Sequence, residues 1–453
     1  MYEFLLCAGV VLWGGLCLWY LRHPAASAFH PVTFYLTFHG ILFTLRPILA
    51  WTQDFGGIYR AYSFTPSMAD KTVVLAAADL ALVVFVVLAL RFGNAPFVRP
   101  GMAPARRTGQ RFTTALWVTF AVCLPVPLMA LGSGVMIQAV GGGTMIRDAG
   151  TGLTINTTSN GYFTDSVLML GPLAVLFVWA GRFRWWAWTP LLLFIVAKAG
   201  TGGRWPFIMA AMSAGLFWMY EHRLRWFPPR VVLAAVPLLA VFTIVGADRG
   251  AAVRAALLGG PQTFSTADYF HERPLESMDY GNLEFFEYLV RAVPAKTGTY
   301  DYFLNNLQIL TEPVPRVLWP GKPVGAPIKR FNLWDYGTPI GMTFSVAGTG
   351  WLQAGWIGVV LWTALYAWLY GRGYQWFVRS DRSQFKTAAF MILTPVALQT
   401  FRDGVLLTVL KTSFFPLLPV LVWWGASRLF PSTPPAAAPV RRRLDRAPRM
   451  NRI

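Results

Sequence analysis

Six consecutive residues, Asp268-Tyr269-Phe270-His271-Glu272-Arg273, bring two carboxylates, an imidazole and a guanidinium into one short stretch. A carboxylate or imidazole beside a cation is suited to take a proton from an attacking hydroxyl, so Asp268, His271 and Glu272 are candidate general bases. A solvated charged turn has the same composition, and both readings stay open. A second set is cationic: Arg147, Arg204, Arg316, Lys322, Arg402 and Lys411. The planar fork of arginine holds two oxygens of a diphosphate at once, whereas lysine acts as a point charge. Lys411 has an alternative, since its long stem can snorkel to the membrane surface. Arg316 and Lys322 belong to a strap, Pro313-Val314-Pro315-Arg316-Val317-Leu318-Trp319-Pro320-Gly321-Lys322-Pro323, whose prolines exclude helix and stiffen the chain. Trp319, Trp334 and Tyr336 offer flat apolar faces suited to stacking on sugar rings.

No DxD pair, phosphate-cradling glycine loop or HExxH helix accompanies these residues, so neither metal nor cofactor is expected. The three cysteines, Cys7, Cys17 and Cys123, fall in apolar runs, with no disulfide framework and no zinc spacing.

The elements that must position these groups are apolar. Of 453 residues, 55% are hydrophobic and 13% charged, about half the charge of a soluble domain. Apolar runs recur at 2–21, 31–51, 72–90, 113–133, 164–181, 186–200, 205–221, 231–247, 346–371, 387–401 and 404–428. In lipid a backbone must satisfy its own hydrogen bonds, so these runs are expected as transmembrane helices. The fold class is therefore an all-α polytopic bundle of about eleven spans. The segments 186–200 and 205–221 are either two spans or one broken pair around Gly200-Thr201-Gly202-Gly203-Arg204. The first run has no basic residue before it and Arg22 after it, which favours a span over a cleaved leader despite Ala26-Ser27-Ala28.

An outside N-terminus assigns 22 of the chain's 39 Lys and Arg to short inner connections and five to short outer ones. That asymmetry sets an outer N-terminus and a cytoplasmic C-terminus. The organisation is then eight spans in 1–247, a large outer loop over 248–345, three spans in 346–428, and a basic Pro/Ala/Arg-rich tail over 429–453 expected to be disordered. The net charge of +19 sits in short loops and the tail, pointing to anionic membrane lipids and away from nucleic acid. Within the loop, 276–293 reads as an amphipathic helix, with Leu283, Phe286, Leu289, Val290 and Val293 on one face and Glu287 four residues before Arg291. Lying flat as an interfacial lid is one fate for it. Inside the spans, Arg46 and Asp79 fall at similar depth and are expected as an ion pair. Small residues over Gly348-Thr349-Gly350 and Gly355-Trp356-Ile357-Gly358 suit close helix contact.

The strap and the glycine-spaced helix about twenty-five residues after it resemble those of bacterial O-antigen polymerases of the Wzy type. Thr201-Gly202-Gly203-Arg204 is similar to an arginine-bearing turn in these polymerases and in the related O-antigen ligases. The layout of many spans with one large late periplasmic loop is similar over most of the chain. Many relatives carry an acid before the glycine-spaced helix, where this sequence has Gly348-Thr349-Gly350. The resemblance implies transfer of a glycan from undecaprenyl diphosphate to another lipid-linked repeat unit, at the periplasmic face of an inner membrane. It implies an undecaprenyl-diphosphate-linked oligosaccharide as substrate, and a flippase and a chain-length regulator as partners. A ligase shares donor and leaving group. A secondary transporter is the alternative from another class, although no half of the chain repeats the other.

Overall fold

The computed structural model describes residues 1–97, 112–132, 145–147, 154–156, 161–200, 205–233, 275–276, 278–314, 318–319, 321–323, 325–337 and 342–430. Among these, seven helices are long and apolar enough to cross a membrane: α1 (Tyr2–Arg22), α2 (Pro31–Thr52), α3 (Met68–Phe92), α4 (Thr114–Gly132), α5 (Tyr162–Ala180), α9 (Ser345–Arg379) and α12 (Leu406–Leu429). Shorter helices include α6 (Thr189–Gly200), α7 (Trp205–Glu221), α8 (Asn282–Ala292), α10 (Gln384–Leu393) and α11 (Val396–Asp403). A small antiparallel ribbon, β1 (Met145–Arg147) with β2 (Thr154–Asn156), sets Arg147 opposite Thr154.

The helices begin where local chemistry stops the chain from doing anything else. At the start of α3 a capping box closes: the Ser67 hydroxyl accepts from the Asp70 amide (3.1 Å) and the Asp70 carboxylate accepts from the Ser67 amide (2.8 Å). Pro31 opens α2 where no amide is needed, and His30 Nδ1 accepts from the Val32 amide. α2 loosens to a π-turn over Gly40–Leu45 before resuming at Arg46.

α3 and α9 pack along each other as the central pair, with α2 and α11 against them and α4, α5, α7, α10 and α12 around the other side. The centre is aromatic. Tyr35 of α2 stacks on Phe85 of α3 at 4.1 Å, and Phe401 of α11 meets Tyr35 edge-on at 4.9 Å. One end is sealed by hydrogen bonds: Tyr374 donates to the Ala95 carbonyl (3.0 Å), and Arg382 donates to the Phe97 carbonyl (2.6 Å).

Two expected spans differ. The 387–401 run is two helices, α10 and α11, because Pro395 has no amide to continue the ladder. α9 breaks at Ala354 and Gly355, where Gly355 takes φ +58°. The chain folds back there so tightly that a Cβ on Gly358 would overlap the Gly350 carbonyl. The small residues are thus used for contact within one segment. Of the 231–247 run, only 231–233 are described.

Candidate functional site

α8 carries the large loop into the bundle. Every residue of it except Arg291 is buried, so it is docked and not a surface lid. Leu283, Phe286 and Leu289 face the main core, while the opposite side is acidic yet also buried. Glu284 receives Arg46 of α2 in a forked contact, with Nε at 3.1 and 3.0 Å from the two oxygens and one terminal nitrogen at 2.8 Å. Glu287 accepts from the Tyr59 hydroxyl at 2.6 Å, and Lys71 lies over the Tyr59 ring. Glu276, just before α8, accepts from the amides of Gly56 and Gly57. These contacts replace two expected ones. Arg46 pairs with Glu284 and not with Asp79, because α8 reaches it first. Asp79 instead faces His39 of α2 at 3.5 Å, near the middle of both helices. Glu287 turns inward to Tyr59, so it does not support α8 through Arg291.

Burial pushes the Glu287 carboxyl up from 4.5 to about 8, with the Glu284 charge adding to the rise and Tyr59, Lys71 and Arg46 opposing it. The folded chain therefore holds this proton more tightly than the unfolded chain. Its contribution is complete below the ordinary carboxylate range and is lost as pH climbs towards 8. Protection of the 282–292 amides, corrected for the base-catalysed rise in intrinsic exchange, is expected to fall between pH 5 and 8, and Glu287→Gln to flatten that fall. A slope unchanged in the Gln variant would assign the effect elsewhere.

A second cluster gathers around the turn between α11 and α12. Arg402 lies 3.7 Å from the Asp279 carboxylate and stacks over Trp205 at 5.0 Å, while Asn282 of α8 donates to the Arg402 carbonyl at 2.6 Å. On α12, Lys411 contacts Glu312 at 2.6 Å and Asp165 of α5 at 3.8 Å. Lys322 reaches the same Glu312 carboxylate at 3.5 Å. Burial raises the Glu312 carboxyl, but hydrogen bonding and charge from Lys411, together with Lys322, bring it below its ordinary value. It is an ionised group between two ammoniums. Lys411 thus has two carboxylate partners.

The other sequence candidates divide by place. Asp268, His271, Glu272, Arg204 and Arg316 lie outside the described residues, though Trp205, next to Arg204, carries the Arg402 guanidinium. Arg147 sits in β1 and Trp334 in the turn Leu333–Tyr336, their side chains outside the description. Trp319 is exposed, and Tyr336 is half-buried beside the core. The 333–336 turn is tied to α8 by the Tyr288 hydroxyl, which donates to the Leu333 carbonyl at 3.0 Å. Among the described residues no three His, Cys, Asp or Glu side chains are grouped to hold a metal ion.

Sequence reasoning missed Asp279, Glu284 and Glu312, the acids that partner the cations, and Glu276, which holds the Gly56 and Gly57 amides. Their signal was scarcity, since the 248–345 loop holds ten of the twenty acids of the chain. Comparison with known protein families, with characterised proteins and with solved structures finds no match.

Proposed function

We propose that this multi-pass membrane protein is a polymerase of lipid-linked oligosaccharide repeat units, similar to the Wzy-type family. It works at the periplasmic face of a bacterial inner membrane, with an outer N-terminus and a cytoplasmic C-terminus. Eleven crossings arise from the seven long helices, α6, α7, the α10–α11 pair and the 231–247 run. A sugar hydroxyl of one lipid-linked unit attacks the anomeric carbon of another. The bond to undecaprenyl diphosphate breaks as the new glycosidic bond forms. The hydroxyl proton passes to a base, for which Asp268, His271 and Glu272 remain the candidates. Charge growing on the departing diphosphate is met by cations at the membrane edge. A flippase supplying the substrate and a chain-length regulator are the partners this reading implies.

The observation that carries the reading is where the accessible charges gather. Lys411 is 35% exposed, its partners Asp165 and Glu312 are 33% and 23% exposed, and all three meet where loop residues reach the bundle. A lipid-anchored diphosphate arriving from the outer leaflet meets lysines there. One observation favours a secondary transporter: the His39–Asp79 pair lies mid-helix, where transporters hold coupling ions.

Deleting the gene in its host and reading surface glycan on a gel tests the proposal. The expected result is loss of the long ladder, with single repeats still joined to their acceptor. Glycan stranded on the undecaprenyl carrier would indicate a ligase, and an unchanged ladder would contradict both and favour the transporter.

A further inference from the structure

Glu312 has the surroundings of a bound anion. Its carboxylate takes Lys411 Nζ on one oxygen at 2.6 Å, and on the other Lys322 Nζ at 3.5 Å and the Gln308 amide at 3.4 Å. The donors stay in place without it. Lys411 is carried by α12, and Lys322 Nζ is held separately by the carbonyls of Glu312 (3.0 Å) and Val314 (3.1 Å). The Glu312 backbone is fixed as well, because its carbonyl also accepts from the Tyr162 hydroxyl at 2.8 Å. Rotation of the Glu312 side chain alone therefore leaves the Lys322 ammonium on its carbonyls and the Lys411 ammonium beside Asp165, both facing the vacated carboxylate position.

The contrast with Arg46–Glu284 separates this cluster from a structural pair. Arg46 and Glu284 are 0% and 2% exposed, and both sit on packed helices. Removing one of them strands a charge away from water. Glu312 is partly accessible, belongs to a loop, and leads directly into the strap at Pro313. Exchanging a partly exposed carboxylate for another anion sacrifices little, since partly solvated ion pairs contribute little to stability.

We infer that Glu312 is a placeholder in a phosphate-binding site built by Lys411 and Lys322, and that a lipid-borne diphosphate displaces its carboxylate. The identity of the lipid rests on the polymerase reading; the anion chemistry does not. A diphosphate oxygen takes the position of each carboxylate oxygen, and the added charge of the ligand drives the exchange. Asp165, 3.8 Å from Lys411, stays behind and weakens the hold on any anion, while displacing the Glu312 carboxylate is a fixed cost that a ligand of higher charge overcomes more readily. Glu312 thus sets a threshold that favours ligands of higher charge.

The test uses the full-length protein in nanodiscs of neutral phosphatidylcholine, with inorganic pyrophosphate as the probe and calorimetry as the readout. Glu312→Gln keeps the shape and removes the competing charge, so pyrophosphate is expected to bind about tenfold more tightly than to the parent protein. Adding Lys411→Met should remove that gain. Unchanged affinity in a Glu312→Gln variant that melts like the parent overturns the inference, as does a gain that survives Lys411→Met. If Glu312→Gln melts lower, Glu312→Asp takes its place. It draws the carboxylate back by one methylene and is expected to tighten binding about two- to threefold, and no tightening overturns the inference.

Nanodiscs containing phosphatidylglycerol separate the sources. Loss of pyrophosphate binding in them overturns the diphosphate assignment in favour of a bulk lipid phosphate, and persistence upholds it. Failure of the polymerase reading shows separately, as an unchanged glycan ladder in the deleted host beside tighter binding in Glu312→Gln.

Discussion

Arg46→Ala is expected to prevent recovery of folded, monodisperse protein. The substitution leaves Glu284 buried on α8 with its forked partner gone, and nearby Glu287 adds a second acid to the same pocket. Breaking a buried pair from one side costs about 3–5 kcal/mol, a large part of a typical total of about 5–15 kcal/mol. Glu284→Ala should be as damaging, because it strands the guanidinium. Arg46→Met combined with Glu284→Leu removes both charges and keeps the volume, so it should recover much of the melting temperature. The check is yield and thermal melting in detergent. Parent-like melting of Arg46→Ala would mean that α8 is held by its apolar face alone.

The second large effect is expected at Gly404. It turns the chain between α11 and α12 with φ +73°, a conformation that side chains with a Cβ avoid, and a Cβ there would overlap the Ser345 carbonyl and lie 2.6 Å from the Thr349 hydroxyl. Its own carbonyl accepts from Trp362 Nε1 at 2.8 Å and from the Tyr366 hydroxyl at 3.1 Å, so the turn cannot shift without losing two buried hydrogen bonds. Backbone strain and overpacking each contribute about 1–3 kcal/mol. Gly404→Ala is therefore expected to lower the melting temperature strongly and to loosen both Arg402 and Lys411, which the turn separates. Gly425 on α12 has open space around its Cβ position. Gly425→Ala should melt at or slightly above the parent temperature, and equal losses at both positions would contradict the account of the turn.

What the sequence made legible was set by physics acting along the chain. A bilayer-length apolar run is a local property: six of the seven long helices begin and end within four residues of an expected run, and α9 continues eight residues past its run to Arg379. α8 was legible in the same way, because Leu283, Phe286 and Leu289 recur on a helical period, although it begins at Asn282, six residues later than the expected 276. Partners were not. Arg46 and Glu284 are 238 positions apart, and nothing in the residues around Arg46 distinguishes Glu284 from Asp79 as its counter-charge. Depth alone suggested Asp79, whereas docking of the loop helix decided for Glu284. The same limit explains the cations. Arg402 and Lys411 stood out by their expected depth in the spans and Lys322 by its place in the strap, but their pairing with Asp279, Asp165 and Glu312 depends on segments far apart in the chain meeting. The break in α9 had a local sign in Gly355, and the fold-back that sets Gly350 against Gly358 needed the three-dimensional path.

The account predicts that the purified protein extends glycans without any other enzyme. The most direct measurement combines it in nanodiscs with an undecaprenyl-diphosphate-linked repeat unit from its host and follows product length by mass spectrometry. The predicted result is a series of products differing by one repeat, with free undecaprenyl diphosphate released in step with each added unit. Well-folded protein that leaves the lipid-linked unit at a single repeat, with no diphosphate lipid released, would contradict it.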